Sequence, residues 1–227
     1  MQRMENDPLK PRIVESDDGS HTLRVDALNE HYHSHKGAVQ ESNYVFLKMG
    51  LELFKEREHI RILEVGFGTG LNALLTALSA NGPSVHYVTL ETYPLEMDLV
   101  RQLNYPAIIA RDQAETFFEA MHNAAWNEPV AIHDRFTLEK RATALQDLPT
   151  IDPVDLVYYD AFAPHAQPEL WEPVIWTSLI ERMNPKGVLV TYCAKGQVRR
   201  DMQAAGFEVE RLEGPPGKRE MLRATKP

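Results

Sequence analysis

Thiols are nearly absent from this chain. Cys193 is its one cysteine, which excludes an intrachain disulfide and a zinc site built on thiolates. Long apolar runs are missing as well: no stretch approaches the ~20 residues of a membrane-spanning helix. The opening residues are polar and charged where a secretory signal would be apolar. A cytoplasmic protein without a membrane partner is the expectation. Nine histidines are present, none in a metal-binding pattern. His31, His33 and His35 alternate and would share one face of an extended segment. Exposed polar residues account for them equally well, and no metal is expected. Positive charge is in deficit, with 24 Lys and Arg against 33 Asp and Glu, net −9. That argues against indiscriminate nucleic-acid binding. The deficit is uneven, because residues 195–227 hold eight Lys and Arg against five acids, leaving the tail at +3 and the remainder at −12. A basic end on an acidic body allows a local phosphate-contacting surface.

The 227 residues are enough for one full core, with or without an appendage. The informative stretch is Ile60 to Asn72, I-R-I-L-E-V-G-F-G-T-G-L-N. Its apolar run suits a buried parallel strand. Gly66, Gly68 and Gly70 then form a turn, and Asn72-Ala-Leu-Leu-Thr-Ala-Leu follows with good helix formers. A helix N-terminus offers free N–H groups and partial positive charge to a ligand lying on bare backbone. A dinucleotide fingerprint, G-x-G-x-x-G, would place its third glycine at 71, where Leu71 stands. The actual pattern, E-x-G-x-G-x-G beginning at Glu64, resembles the first motif of class I S-adenosylmethionine-dependent methyltransferases. Their cofactor is a cationic amino acid joined to adenosine, so an acid beside the loop is tolerated. That resemblance implies a Rossmann-like, doubly wound α/β fold with a mostly parallel seven-stranded sheet. It also implies S-adenosyl-L-methionine contacts at Glu64, Gly66, Phe67, Gly68, Thr69, Gly70 and Asn72.

The rest of the chain follows this pattern. Residues 1–10 read as frayed. Ile13–Glu15 and Thr22–Val25 flank Asp17-Asp18-Gly19-Ser20, a hairpin signal. We therefore expect an N-terminal hairpin extension over residues 1–45 and a methyltransferase domain over 46–227. Glu41-Ser42 could open a helix through Val45, Phe46, Leu47, Leu51 and Phe54. After the glycine loop a helix runs to about Ser79, stopped at Asn81-Gly82-Pro83. Val85–Leu90 reads as a strand ending in Glu91-Thr92, where an acid accepts hydrogen bonds from ribose hydroxyls. Pro94 opens a helix through Met97, Leu99, Val100 and Leu103. Residues 112–126 read as helix and Arg135–Glu139 as a strand. Lys140–Ala144 would then carry the adenine contact, with no residue assigned. Val154–Tyr159 is a strand ending in Asp160-Ala161-Phe162-Ala163-Pro164, and Trp171–Ile180 marks a helix. Asn184–Gly187 reads as a turn and Val188–Tyr192 as a strand. A helix over Val198–Ala205 precedes a closing strand pair, Phe207–Leu212 and Glu220–Ala224.

Gly66–Gly70, Glu91–Thr92, Asp160–Pro164 and Cys193–Gly196 all fall at carboxyl ends of strands, where open α/β sheets bind ligands. A narrower resemblance rests on five segments: Y-H-S-H-K-G-A at 32–38, E-S-N-Y-V-F at 41–46, G-F-G-T-G-L-N at 66–72, D-A-F-A-P at 160–164 and G-P-P-G-K-R-E-M at 214–221. Together they resemble the methyltransferases that complete 5-methylaminomethyl-2-thiouridine at the tRNA wobble position. Some members fuse this domain to an FAD-dependent oxidoreductase. This chain has no second glycine fingerprint, so the expectation is the stand-alone form, acting after a separate enzyme that installs the aminomethyl group. The resemblance implies tRNA as partner and N-methylation of 5-aminomethyl-2-thiouridine as reaction. Asp160 would orient the amine, take its proton and lie against the cofactor, while Phe162 and Pro164 form an apolar wall. Tyr192 is a further candidate for that pocket. Phosphates would meet Lys195, Arg199, Arg200, Lys218 and Arg219. The alternatives are a small-molecule amine methyltransferase, a polyamine synthase-like aminopropyltransferase, or a non-catalytic module on the same fold.

Overall fold

Apolar runs that alternate in facing, bounded by charge, make strands buried on both sides. In a computed structural model, which describes residues 10–79, 82–148 and 150–227, these runs form one large sheet. The strands are β1 (Arg12–Glu15), β2 (His21–Val25), β3 (Glu30–His31), β4 (His59–Val65), β5 (Ser84–Leu90), β6 (Pro129–His133), β7 (Phe136–Arg141), β8 (Val154–Tyr159), β9 (Met183–Thr191), β10 (Glu208–Glu213) and β11 (Glu220–Thr225). The helices are α1 (Ala38–Ser42), α2 (Leu71–Ala77), α3 (Met97–Val100), α4 (Tyr105–Ile109), α5 (Ala114–Asn123), α6 (Pro173–Glu181) and α7 (Gly196–Ala204). The large sheet runs β10-β11-β9-β8-β4-β5-β7-β6, and a small one runs β1-β2-β3.

Period-two facing divides the core between the two sides of the large sheet. Ile62, Tyr87, Leu138, Leu156 and Tyr158 pack on one side with Leu71, Leu74 and Phe118. Leu63, Val65, Val88, Val157 and Tyr159 pack on the other with Trp171, Trp176 and Leu179. Strand β4 pairs in parallel with β5 on one flank and β8 on the other, so Val65 stands opposite both Leu90 and Tyr159. The chain reverses direction across the sheet there, and a crevice opens at the carboxyl ends.

The Rossmann-like α/β architecture matches the expectation, with differences at its margins. An eighth strand, β6, joins the expected seven. It pairs antiparallel with β7 through a turn at Asp134-Arg135 and slips register between Ala131 and His133. It begins with Pro129 and lies half exposed at the edge, where a missing N–H costs no ladder bond. The expected turn at Asn184–Gly187 is an irregularity inside the continuous β9, with Lys186 at φ +64°. In place of the single helix expected after Pro94, two short ones form. Asn104 lies between them and is engaged with the hairpin backbone instead, accepting the His21 N–H at 2.8 Å and donating to Gly19 O at 2.9 Å. The expected helix at 41 begins earlier, at Ala38, and widens into a π-type turn over Asn43–Lys48. The expected boundary at 45 and 46 falls inside that helical stretch. Residues 1–9 and the stop at Asn81 lie outside the described residues.

The N-terminal hairpin forms where its signal places it, and β3 adds a third strand. Its turn also caps α1. The Ala38 N–H donates to Ser16 Oγ (3.3 Å), the Val39 N–H to Ser20 Oγ (3.3 Å) and the Gln40 N–H to Asp18 Oδ2 (3.1 Å). Three free donors of one helix end are thus met by side chains about twenty residues away. Gly37 has to be glycine here, because φ is +142° and a Cβ would lie 2.8 Å from Asp18 Oδ2. Burial works against an ionised Asp18, but hydrogen bonds from Ser20, Ser16 and the Ser20 and Gln40 amides outweigh it and hold its carboxyl below the ordinary value. A depressed acid stabilises the fold above its unfolded pKa and loses that contribution as pH falls through the folded value. We predict that Asp18→Ala costs ~1–3 kcal/mol at pH 7. The part owed to charge should begin to shrink in thermal melts below about pH 4 and be lost through the folded value beneath it. A constant gap from pH 7 to pH 3 would contradict this.

Candidate active site

The glycine loop leaves β4 with Gly66, Gly68 and Gly70 at φ +94°, +52° and +74°. The Gly66 and Phe67 amides both donate to Leu90 O (3.1 and 3.0 Å), which pins the loop to the end of β5. A Cβ at Gly68 would stand 3.0 Å from the Tyr32 ring, and one at Gly70 would stand 2.9 Å from His122 Nε2. Below the loop, His122 Nε2 donates to Thr69 O at 3.1 Å, and burial lowers that imidazole to about 4, so it is neutral. Lys140, in the segment expected at the adenine, is buried here instead. Its ammonium donates to His122 O at 2.9 Å and stands 4.7 Å from the Trp126 ring centroid, and burial lowers it to about 8. Thr143–Asp147 follow it along the rim.

These loops enclose a cavity of about 720 Å³ at the carboxyl ends of β4, β5, β8 and β9, within the size range of small-molecule sites. Gly66, Phe67, Gly68, Thr69, Glu91, Thr92, Asp160 and Phe162 line it, together with Thr143–Asp147. Glu91 accepts the Gly68 N–H (2.9 Å) and the Tyr93 N–H (2.8 Å), one on each oxygen. Asp160 accepts Asn72 Nδ2 at 2.8 Å, and its own N–H donates to Val65 O at 3.2 Å. Burial drives the Asp160 carboxyl well above its ordinary value, and the charges of Glu41 and Glu64 add to this. The Asn72 hydrogen bond and Lys218 oppose it. The loop carrying Asp160 is fixed from three sides: Tyr192 donates to Ala161 O (2.8 Å), Trp171 to Phe162 O (2.8 Å) and Tyr159 to Leu170 O.

Some expected site residues lie elsewhere. Glu64, Gly70, Asn72 and Pro164 do not line the cavity. Glu64 is buried behind the loop, where Thr89 donates to it at 2.7 Å and desolvation raises it to about 8. Asn72 reaches the site only through Asp160. Lys195, just before α7, Arg199 and Arg200 on α7, and Arg219 on the β10–β11 loop are also outside the cavity. Lys218 is the exception among the basic residues: it points inward, with its ammonium 2.5 Å from Glu41 Oε1 and 3.9 Å from the Tyr192 ring centroid. Sequence reasoning gave no role to Tyr32 or Glu41, although both lie in segments that carry the family resemblance. Tyr32 meets Phe162 edge-on, with ring centroids 5.0 Å apart. Only the folding of the N-terminal segment across the sheet edge brings them here.

The residues present fit S-adenosyl-L-methionine. The glycine backbone at Gly66 and Gly68 and the Glu91 carboxylate at the end of β5 line one cavity. A family model described as S-adenosyl-L-methionine-dependent methyltransferase matches residues 121–227. The chain is 32% identical, over 95% of its length, to the tRNA 5-methylaminomethyl-2-thiouridine biosynthesis bifunctional protein MnmC of Paraburkholderia phymatum. It is 34% identical, over 84% of its length, to the protein of the same name from Burkholderia thailandensis. The crystal structure of MNMC2 from Aquifex aeolicus superposes with a TM-score of 0.78 at 29% identity, covering 96% of this chain and 72% of that one. Over residues 121–227 the chain belongs to the S-adenosyl-L-methionine-dependent methyltransferase family. It spans about a third of the length of the two bifunctional relatives, 35% and 31%. A spermidine synthase from Thermotoga maritima shares the fold, with a TM-score of 0.62 at 13% identity over 99% of this chain and 72% of its own.

For this methyltransferase we predict that Gly68→Val or Glu91→Ala weakens S-adenosyl-L-methionine binding at least about tenfold while the fold survives. The valine meets Tyr32, and the alanine removes a charged acceptor whose hydrogen bonds are each worth ~1.5–3 kcal/mol. Titration calorimetry on folded variants checks this, and wild-type affinity in either would overturn the loop assignment.

Proposed function

We propose that the chain methylates the primary amine of 5-aminomethyl-2-thiouridine at the wobble position of tRNA, giving 5-methylaminomethyl-2-thiouridine. The observation that carries this is Asp160, a carboxylate held by Asn72 at the end of β8, inside the cavity that fits the cofactor. The MnmC relatives supply the substrate class. Bound S-adenosyl-L-methionine supplies a methyl group already activated by its sulfonium. A primary alkylamine, with a reference pKa near ~10.4, is mostly protonated at neutral pH, so the protein must deliver it as the free base. Asp160 accepts that proton directly or through water. The free amine so delivered would take the methyl group from the bound cofactor, leaving the thioether and a secondary ammonium that keeps its remaining protons. Phe162, backed edge-on by Tyr32, presents an apolar wall that disfavours charge on the amine. Holding the two reactants in line is worth up to ~7–11 kcal/mol in well-oriented systems.

On this reading the wobble base leaves the anticodon stack to reach the cavity. Lys195, Arg199, Arg200 and Arg219 contact phosphates outside it. Residues 1–45 act as an extension of a methyltransferase domain over 46–227, and a separate enzyme supplies the aminomethyl group. A cytoplasmic location follows from the tRNA substrate. Among the described residues no helix is long and apolar enough to cross a membrane. The second reading is a polyamine synthase-like aminopropyltransferase, favoured by the carboxylates Glu41 and Asp160 in one cavity. Tritium transfer from labelled cofactor into tRNA lacking the final methyl, followed by nucleoside analysis, separates the two. No methyl label in tRNA, with aminopropyl transfer from the decarboxylated cofactor to a diamine instead, would sink the proposal.

The site makes Asp160→Asn an informative variant. It should retain shape and most binding, while single-turnover rate falls ~10²–10⁴-fold at pH 7. The defect shrinks at alkaline pH, where free amine is abundant. The same variant gains stability. An acid whose folded pKa is raised destabilises the fold once pH exceeds its unfolded value, so removing the charge raises the melting temperature at pH 8. Full activity at pH 7, or a lower melting temperature, would contradict these roles. A separate prediction concerns Arg200→Ala combined with Arg219→Ala. This pair flattens the log–log salt slope of tRNA binding by ~0.7–0.9 for each phosphate no longer neutralised, and leaves cofactor affinity unchanged. An unchanged slope makes both ordinary surface residues.

A further inference from the structure

Two segments far apart in sequence meet inside the cavity beside Asp160. Glu41 comes from α1 and is nearly buried, its side chain 8% exposed. One carboxylate oxygen, Oε2, accepts the Ser34 N–H at 2.8 Å. The other, Oε1, is met by the Lys218 ammonium, 2.5 Å away. That ammonium also lies 3.9 Å from the Tyr192 ring centroid. A desolvated carboxylate and an aromatic face around one cation are what a protein uses to bind an alkylammonium. Lys218 is itself an alkylammonium, so the structure contains the site with an internal ligand in it. Its side chain is 30% exposed, on a loop next to Gly217 at φ +87°. The head group can therefore leave for solvent without becoming a buried, unpaired charge.

We propose that Glu41 and Tyr192 form a recognition subsite for the alkylammonium of the substrate, and that Lys218 occupies it only until substrate displaces it. This deepens the methyl-transfer reading and rests on it for the identity of the amine; the ligand class rests on the geometry alone. The exchange of one cation for another keeps the charge of the cavity constant. Glu41 is then compensated before and after substrate docks, and Asp160 remains free to take the proton. Burial and the Glu41 charge both hold the Asp160 carboxyl above its ordinary value, which narrows its gap to the amine. The substrate is thus recognised as a cation by one carboxylate and deprotonated by another.

The test uses the full chain loaded with S-adenosylhomocysteine, with benzylammonium as probe and benzyl alcohol as its uncharged counterpart. Binding is read by calorimetry or NMR titration. If the free subsite is populated about one part in ten, Lys218→Met tightens benzylammonium about tenfold by removing the internal competitor. Glu41→Gln weakens it at least about tenfold, because the charge-assisted hydrogen bond is gone. The double variant, which leaves no unpaired buried charge and serves as the folding control, binds as weakly as Glu41→Gln. Benzyl alcohol responds to none of these changes. Weaker benzylammonium binding by Lys218→Met, or parallel changes in both probes, would show a structural ion pair and overturn the subsite. Wild-type protein that follows this series but methylates no tRNA would sink the tRNA reading and keep the subsite. Protein that methylates tRNA with a flat series would sink the subsite alone.

Discussion

The site depends on one piece of backbone geometry, the parallel pairing of β4 with both β5 and β8. Because Val65 lies level with Leu90 and Tyr159, three loops begin at the same height on the sheet. The glycine turn, Glu91 and Asp160 therefore converge without any side chain having to reach. Shared bonds then lock them: Gly66 and Phe67 donate to Leu90 O, and Asp160 donates to Val65 O. A register slip of one residue would turn every side chain of the strand to the opposite face.

Convergence places acids close together in a poorly solvated space. Burial raises the affinity of Asp160 for protons, with the charges of Glu41 and Glu64 adding to it, and burial with the Glu91 charge does the same for Glu64. Thr89, Asn72 and Lys218 relieve part of that cost but not all of it. The arrangement is unfavourable for an empty fold and favourable for one that receives a cation. Such tension between stability and activity is common where a site must be poised for its ligand.

Legibility in the sequence followed the range of the interactions involved. The strands bearing the glycine turn, Glu91 and Asp160 were readable because hydrophobic runs and glycine spacing are local signals. Strand β6 was not, since Pro129 and half-exposed neighbours carry little alternation. Glu41 and Lys218 could be noticed as parts of motifs, but their meeting is a tertiary event across 177 positions of chain. Charge counting placed Lys218 with the basic tail, because composition says nothing about which way a lysine points. Lys140 misled in the same way: nothing local announces that a lysine will be buried beneath two aromatic rings.

The cap on α1 has a consequence for how the site is assembled. That helix is short, opens on glycine and owns no capping side chain, so in isolation its first turn would be unstable. Ser16, Asp18 and Ser20 supply what it lacks from the hairpin turn. Glu41 is therefore positioned by residues that never touch the cavity. The hairpin behaves as a built-in chaperone for one carboxylate. Damage to it would leave the sheet and the cofactor loop standing while displacing the carboxylate of the proposed alkylammonium subsite. The carboxylate proposed to recognise the substrate is held in place by three small side chains at the far end of a turn.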